Sequence, residues 1–161
     1  MSTTANRLDF RRLELRDLNA IEKIERTSYK TPWSRSMFAG ELAKPSSISL
    51  GAFDPERGEL LGYLIISRYV DAWHVMNLAV APKHRRKRIA AGLLERLFEL
   101  TSGEGRRGYT LEVRVSNDEA IHLYEKLGFE ARGLRRGYYT DNREDALIMW
   151  RDARHSAARN G

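Results

Sequence analysis

The residues whose types and spacing could do chemistry fall in two segments. The first is the basic run from Lys83 to Arg88, which follows Pro82 and leads into apolar residues at helical spacing from Ile89 onward. The first amides of a helix are unpaired and the helix dipole is positive there, so such a segment suits a phosphate or pyrophosphate. The dipole contributes only about 0.3–1 kcal/mol at a surface, so the flanking cations would supply most of the affinity. A solvated basic turn and a nucleic-acid contact are alternative interpretations.

The second segment starts with a predicted strand from Tyr109 to Val115, in which Glu112 falls on the face opposite the aliphatic side chains. A carboxylate there could act as a general base, but the pattern is also typical of an exposed residue paired with a nearby cation. Asn117 follows and suits a helix N-cap. Tyr124 shares a helix face with apolar residues, so the pattern alone favours a core aromatic.

Composition limits the class of protein. The chain has 161 residues, 42% of them apolar, which suits one domain with a real core. It has no cysteine, which excludes disulfides, thiolate zinc sites and a cysteine acyl-enzyme. Its four histidines show no metal-ligand spacing, so no metal is expected. Lys and Arg outnumber Asp and Glu by 28 to 22, which favours an anionic partner such as nucleic acid, a nucleotide cofactor or the ribosome.

We also expect a cytoplasmic protein without a membrane partner. No stretch approaches the roughly 18 consecutive apolar residues of a membrane span. The segment from Met1 to Arg12 lacks the apolar core of a signal peptide.

Alternation, capping residues and turn residues predict a mixed α/β protein. Asp17 and Ser34 are predicted to begin helices, and Asp54–Gly58 has the composition of a hairpin turn. Another helix is predicted after the basic run. The last predicted helix begins at Asn117 and is ended by Gly128 at the C′ position. The predicted strands are 8–12, 48–53, 60–70, 75–80, 109–115, 130–136 and 143–150. We treat residues 1–150 as one domain and expect the basic tail, 151–161, to be disordered.

Taken together, these motifs resemble the GNAT superfamily of N-acetyltransferases. More narrowly, they resemble its RimI type, the bacterial alanine N-terminal acetyltransferases of a small-subunit ribosomal protein. The similarity extends from about residue 8 to about residue 150. The stretches that carry it are Ile24-Glu25, Pro32-Trp33-Ser34, Asn77-Leu78-Ala79-Val80 with Pro82, Leu111-Glu112-Val113-Arg114 with Asn117, Leu123 to Phe129, Tyr138-Tyr139 and Glu144 to Met149.

The resemblance implies a GNAT fold, with a mixed and mostly antiparallel sheet of about seven strands flanked by about four helices. It implies direct transfer of an acetyl group from acetyl-CoA, without a metal, to the N-terminal amine of a protein. The expected substrate is an alanine N-terminus of a small-subunit ribosomal protein, with ribosome contact and without specific nucleic acid. Acetylation of lysine or a small-molecule amine is the alternative within the fold. A non-enzymatic RNA- or ribosome-binding protein is the alternative from another class.

The resemblance also assigns the cofactor-binding residues. The pyrophosphate would lie on the loop and helix start formed by Arg85, Arg86, Lys87, Arg88, Ile89 and Ala90. Backbone groups of Leu78, Ala79 and Val80 would place the pantetheine and the thioester, and the Val80 amide would be the oxyanion donor. Asn117 would contact the cofactor arm, a role compatible with an N-cap.

One position departs from the family pattern. Arg88 stands where the family usually has glycine, which lets the backbone approach the pyrophosphate without a Cβ. We expect a helical backbone at Arg88, since a helix N-terminus does not demand a positive φ. Its side chain would turn outward or reach a cofactor phosphate.

The remaining roles concern catalysis and the acceptor. Glu112 would be the general base, directly or through a water, with a mildly raised pKa. Tyr124 would protonate the leaving thiolate. The residues expected to bind the acceptor or to hold a water beside it are Trp33, His74, Tyr138 and Tyr139. Alternative roles are structural. Tyr124 would be a core aromatic, His74 a structural strand residue, and Tyr138 and Tyr139 a pair of exposed hairpin aromatics.

Overall fold

The computed structural model describes residues 7–85, 88–102 and 107–153, which form seven strands and four α-helices. The strands are β1 (Asp9–Arg12), β2 (Ser47–Phe53), β3 (Leu60–Tyr69), β4 (Ala72–Val80), β5 (Gly108–Arg114), β6 (Glu130–Arg135) and β7 (Ala146–Arg151). The helices are α1 (Leu18–Ser28), α2 (Arg35–Ala43), α3 (Ile89–Leu100) and α4 (Asp118–Lys126), with short 3-10 turns at Leu15–Asp17 and Pro82–His84. Within the described ranges, no helix has both the length and the apolar character needed to cross a membrane.

The strands follow the order β1-β2-β3-β4-β5-β7-β6 in the sheet. The pairs β1–β2, β2–β3, β5–β7 and β6–β7 are antiparallel, and β4–β5 is parallel. Parallel neighbours need a crossover connection, and α3 lies between β4 and β5 in the chain. The predicted mixed, mostly antiparallel sheet of seven strands with four helices is therefore confirmed for the described residues.

The described chain divides into two compact units. The first contains residues up to 67 together with 76–102, and the second contains 68–75 together with the residues from 107 onward. The apolar cluster of the first unit joins α1 and α2 to β2 and β3. Its buried members are Leu13, Leu18, Ile21, Ile24, Phe38, Phe53, Leu60, Tyr63, Ile65 and Ala79.

The second unit is built on β5, which pairs with β7 on one side and with the first part of β4 on the other. Leu111 and Val113 are buried, and Glu112 between them lies on the other face of the strand, as the alternation predicted. The register pairs Glu112 with Ile148 and Arg114 with Ala146.

Each strand differs from its predicted range by at least one residue, and the largest differences are in β4 and in β7, which starts at Ala146 rather than at 143. β4 starts at Ala72 rather than at 75, because residues 72–74 pair with residues 108–110 of β5. β7 continues through Arg151, which is buried and donates from Nε to the Leu127 carbonyl at 2.7 Å. Residues 154–161 of the predicted tail lie outside the described residues.

The predicted caps of α2 and α4 are confirmed. The Ser34 side chain accepts from the Met37 amide, and the Asn117 side chain accepts from the Ala120 amide. Gly128 follows α4 with a φ of 97°, the left-handed conformation that a C′ glycine adopts without strain.

Asp17 stands at the N-cap position of α1, but its side chain does not cap that helix. Its carboxylate instead binds the Arg11 guanidinium through two 2.9 Å contacts and accepts from the Glu14 amide. The prediction was right about where the helix begins and wrong about what the side chain does.

Replacement of Asn117 tests the cap of α4. Asn117→Ala should lower the free energy of unfolding by about 1 kcal/mol, because the Ala120 amide loses its acceptor. Asn117→Asp keeps an acceptor oxygen and should remain near the wild-type value. Urea unfolding of the three proteins measures the difference, and equal losses in both variants would contradict the capping role.

Candidate functional site

The turn between β4 and α3, in the first unit, is fixed by Arg85. Its Nε donates to the Val80 carbonyl and its Nη2 donates to Ser28 Oγ, both at 3.1 Å. The side chain thus joins the turn to the end of β4 and to the last residue of α1. Arg86 and Lys87, two of the predicted pyrophosphate residues, lie outside the described residues.

The prediction of a helical backbone at Arg88 is wrong. Arg88 is the N-cap of α3 and has φ 62° and ψ 22°, in the left-handed region. The prediction placed Arg88 inside the helix, whereas the first helical residue is Ile89 and the Gly92 amide bonds to the Arg88 carbonyl. Glycine adopts this conformation without a Cβ penalty, which gives a conformational reason for the family's glycine in addition to close approach.

The start of α3 has the features of an anion site. A helix leaves its first amides without intrahelical partners, and here these belong to residues from Ile89 onward. The 3-10 turn before it carries basic residues, and Arg88 stands at the N-cap. Gly62 of β3 permits close packing here: a Cβ on it would lie 3.0 Å from the Ala79 carbonyl oxygen and 3.2 Å from the Ile89 side chain. These residues fit a pyrophosphate, which needs amide donors and positive charge.

The end of β4 is held from α1. The hydroxyl of Tyr29, which follows α1, donates to the Leu78 carbonyl, while Arg85 donates to the Val80 carbonyl. A carbonyl oxygen has two lone pairs, so each can accept one further hydrogen bond. The predicted pantetheine segment, residues 78–80, therefore has a fixed backbone. No sequence pattern pointed to Tyr29.

A buried carboxylate organises the segment that contains Trp33. Glu25 is 2% exposed and accepts from the Tyr63 hydroxyl, from Asn77 Nδ2 at 2.9 Å and from the Trp33 amide at 2.9 Å. Burial and the neighbouring Glu25 raise the pKa of Tyr63. The Trp33 ring is half-buried and lies 5.2 Å from the Phe38 ring, so this predicted acceptor residue also packs against the core of its unit.

In the second unit, the structure brings Glu112 and His74 together. His74 Nε2 lies 2.8 Å from Glu112 Oε1, and Arg135 Nε lies 4.0 Å from the other carboxylate oxygen. The Glu112 side chain is only 10% exposed. Burial alone would raise the pKa of Glu112, but the hydrogen bond and charge of His74 and the charge of Arg135 outweigh it and hold this pKa below its usual value. The predicted mildly raised pKa is therefore wrong, and Glu112 is ionised at neutral pH.

His74 and Glu112 line an open cleft within the second unit, with a volume of about 490 Å³. The other lining residues come from the end of β3, the turn after it, the start of β4, and the segments of β5, β6 and β7. They are Tyr69, Val70, Asp71, Ala72, Arg107, Thr110, Arg135, Ile148 and Trp150. The cleft thus combines the carboxylates of Glu112 and Asp71 and the cations of Arg107 and Arg135 with apolar and aromatic side chains.

Tyr138 and Tyr139 lie in the loop between β6 and β7, with their rings edge to face and 5.1 Å apart. The Arg135 guanidinium lies 5.7 Å from the Tyr138 ring, and the Arg114 guanidinium lies 4.0 Å from the Tyr139 ring. Burial raises the pKa of Tyr139 to about 12. Tyr138 is 44% exposed, so its ring is accessible to a ligand.

Tyr124 is buried in the second unit and contacts Phe129, with the ring centroids 5.6 Å apart. Burial, with a smaller contribution from Tyr139, raises its pKa, so the phenol stays protonated at neutral pH. The core position expected from the pattern is confirmed. The proton-donor role remains a prediction.

The cofactor role of Asn117 is also still a prediction. Its side-chain amide nitrogen remains a hydrogen-bond donor while its side-chain oxygen caps α4.

Comparison with known proteins gives the family. A profile of the acetyltransferase (GNAT) family matches residues 18–129. The chain is 37% identical over 139 residues to the ribosomal protein bS18-alanine N-acetyltransferase of Escherichia coli K12, across 85% of this chain and 92% of that protein. It is 37% identical over 127 residues to the N-alpha-acetyltransferase RimI of Mycobacterium tuberculosis, across 76% and 77% of the two chains.

A solved structure agrees with these relatives. The crystal structure of the ribosomal-protein-S18-alanine N-acetyltransferase from Escherichia coli matches with a TM-score of 0.82 and 34% identity, over 91% of this chain and 94% of that one. This chain therefore belongs to the GNAT acetyltransferase family, whose members use acetyl-CoA, and it is an N-acetyltransferase. Within the family its relatives are of the RimI type, which confirms the resemblance carried by the sequence motifs.

Glycine at position 88 should stabilise the protein. Arg88→Gly removes a left-handed non-glycine residue that costs about 1–2 kcal/mol and adds an entropy cost of about 0.5–1 kcal/mol, for a net gain of up to about 1.5 kcal/mol. Arg88→Ala keeps a Cβ at the same φ and should show no comparable gain. Urea unfolding compares the variants, and an equal gain with alanine would show that the positive φ is not the cause.

The low pKa of Glu112 predicts an acid-dependent contribution to stability. A carboxyl whose pKa is lower in the folded state than its ordinary value of 4.5 stabilises the fold above that value, and the contribution is lost as pH falls through the folded-state pKa. Wild type should therefore be more stable than Glu112→Gln at pH 7, and the difference should shrink as pH falls from about 5 towards 2. Unfolding measured across this range checks the sign, and a difference independent of pH would contradict it.

Proposed function

We propose that this chain transfers an acetyl group from acetyl-CoA to the N-terminal α-amino group of a ribosomal protein, with alanine as the preferred first residue. The observation that carries the proposal is the ionised Glu112 held by His74 in an open cleft. Its Escherichia coli relative is named as an N-acetyltransferase of the alanine of ribosomal protein bS18. The proposed substrate also places the reaction in the cytoplasm.

The first unit supplies the groups for the acetyl donor. The amides at the start of α3, with Arg85 and Arg88 beside them, would bind the pyrophosphate of acetyl-CoA. The fixed backbone of residues 78–80 would orient the pantetheine and the thioester, with the Val80 amide as oxyanion donor. When bound, acetyl-CoA supplies the thioester carbonyl that the acceptor amine attacks.

The second unit supplies the groups that move protons. An α-amino group with a pKa of about 7.7–8.0 costs only about 1 kcal/mol to deprotonate at pH 7, whereas a lysine near 10.4 costs about 4–5 kcal/mol. Glu112 would attract the ammonium and accept its proton, directly or through a water. His74, whose Nε2 lies 2.8 Å from Glu112 Oε1, would hold the carboxylate in place during the transfer.

The leaving group needs a proton as well. Attack of the neutral amine on the thioester carbon forms the new C–N bond and breaks the C–S bond, which releases a thiolate. The nitrogen loses its second proton as the amide forms, and this proton replaces the one that the general acid gives to the thiolate. The buried Tyr124 phenol is protonated and would supply that proton. The chain contains no cysteine, so transfer is proposed to be direct, without a cysteine acyl-enzyme.

Peptide acetylation tests the proposal. Peptides that begin with free Ala, Ser or Met, and a blocked peptide with one free Lys, would be incubated with acetyl-CoA and followed by mass spectrometry. The free-Ala peptide should be acetylated. Glu112→Gln should reduce kcat by about 10²- to 10⁴-fold while acetyl-CoA affinity stays unchanged.

The matched control is Glu130→Gln, because Glu130 is an exposed β6 residue of the same charge. It should keep full activity. Transfer to the blocked lysine peptide alone would assign the chain to side-chain acetylation. Binding of acetyl-CoA without transfer to any peptide would indicate a small-molecule acceptor instead.

A further inference from the structure

The loop that carries Tyr138 and Tyr139, residues 136–145, has no regular secondary structure but is closed by its own hydrogen bonds. The Tyr139 amide donates to the Glu144 carbonyl at 3.1 Å, and the Gly137 amide donates to Asp145 Oδ1 at 2.8 Å. These contacts define a shape for the loop. They do not attach it to β5.

Arg114, the last residue of β5, attaches the loop to that strand. Its Nη2 donates to Asp141 Oδ2 at 2.9 Å, and its Nη1 lies 3.2 Å from both Glu144 Oε1 and Asn142 Oδ1. The three side chains from the loop thus converge on one guanidinium. The side chains of Arg114, Asp141 and Glu144 are 27%, 18% and 14% exposed.

The backbone just after β5 adds to the attachment. The Ser116 amide donates to Glu144 Oε2 at 2.8 Å, and the Val115 amide donates to the Asp145 carbonyl at 3.2 Å. The Ser116 hydrogen bonds, with those from Arg114, lower the pKa of Glu144 to about 2. Both oxygens of the Glu144 carboxylate are therefore bound, one by the backbone and one by Arg114.

A chain of contacts leads from Arg114 to Glu112. Arg114 stacks on Tyr139, Tyr139 contacts Tyr138, Arg135 lies over Tyr138, and Arg135 reaches Glu112. Glu112 and Arg114 are two residues apart on β5 and so lie on the same face of the strand. The loop tyrosines and the carboxylate of the cleft are thus held by one set of side chains.

We propose that Arg114 is a positioning residue that holds the loop of residues 136–145 in the conformation in which Tyr138 and Tyr139 receive the acceptor peptide. This inference rests on the proposed function, since it concerns binding of the peptide N-terminus. Arg114 acts through Asp141, Glu144 and Tyr139 and does not need to touch the reacting atoms. Lysine cannot replace it, because only a planar guanidinium makes several parallel hydrogen bonds while it stacks on an aromatic ring.

The test compares Arg114→Lys with Arg132→Lys. Arg132 of β6 is a matched control because it also makes a two-bond pair with a carboxylate, Asp152, at 3.1 and 3.0 Å. Steady-state kinetics would vary the free-Ala peptide and acetyl-CoA separately. In Arg114→Lys, a loop that adopts the bound conformation about a tenth of the time should raise the peptide KM about tenfold. We expect kcat and the KM for acetyl-CoA to change less than twofold, and Arg132→Lys to change none of the three by more than twofold.

Amide hydrogen exchange supplies a second readout. Exchange at the Gly137 and Tyr139 amides should accelerate in Arg114→Lys, while exchange in β7 and the thermal midpoint stay near wild type. A peptide KM equal to that of Arg132→Lys would overturn the inference. So would a general loss of stability in which kcat and both KM values move together, because that indicates a merely structural role.

The outcomes also separate the two proposals. If the wild type acetylates the free-Ala peptide and Arg114→Lys behaves like the control, the proposed function stands and the positioning role is wrong. If the wild type acetylates no N-terminal peptide, both proposals are wrong.

Discussion

The first unit depends on how one buried carboxylate is satisfied. The hydrogen-bond donors to Glu25 are a phenol, an amide side chain and a backbone amide. They come from β3, β4 and the segment between α1 and α2, so a single side chain of α1 fixes three other parts of the unit. A polar group so deeply buried is tolerated only when it is hydrogen-bonded, and removal of one donor would leave a buried acceptor without that partner. The constraint extends to Trp33, whose backbone is one of the donors.

In the second unit, charged side chains hold other side chains in position. Arg114 and Arg135 each contact a carboxylate and an aromatic ring, which combines hydrogen bonding or charge with stacking. Glu112 is held by His74 and Arg135 and stays ionised despite its burial. On the proposed reaction this carboxylate would have two tasks, since it would attract a cation and also receive a proton. Its low pKa favours the first task and opposes the second.

Most elements of the fold follow from local sequence. Local sequence patterns predicted all seven strands. The helix start at Ser34, the cap at Asn117 and the stop at Gly128 were correct because each depends on hydrogen bonds within a few residues. The errors arose where the decisive contact joins residues that are distant in sequence, or where residue type does not reveal the backbone conformation. His74 and Glu112 are 38 residues apart, so the sequence could not show that a hydrogen bond lowers the pKa of the carboxyl. Arg88 was placed in the helix because residue type does not reveal that the N-cap here has a positive φ. From sequence, Glu25 is only part of a motif, because its burial results from the packing of four separate segments.

The negative charge of Glu112 bears on how the proposed reaction ends. On the proposed reaction, the acceptor enters as an ammonium ion and is attracted by the ionised Glu112. Acetylation turns that cation into a neutral amide, so the product no longer carries the charge that brought the substrate in. The attraction therefore disappears with turnover, and release of the modified chain is favoured without any movement of the protein. An acetylated N-terminus should consequently be a poor competitor for the cleft, even when modified protein accumulates in excess over substrate.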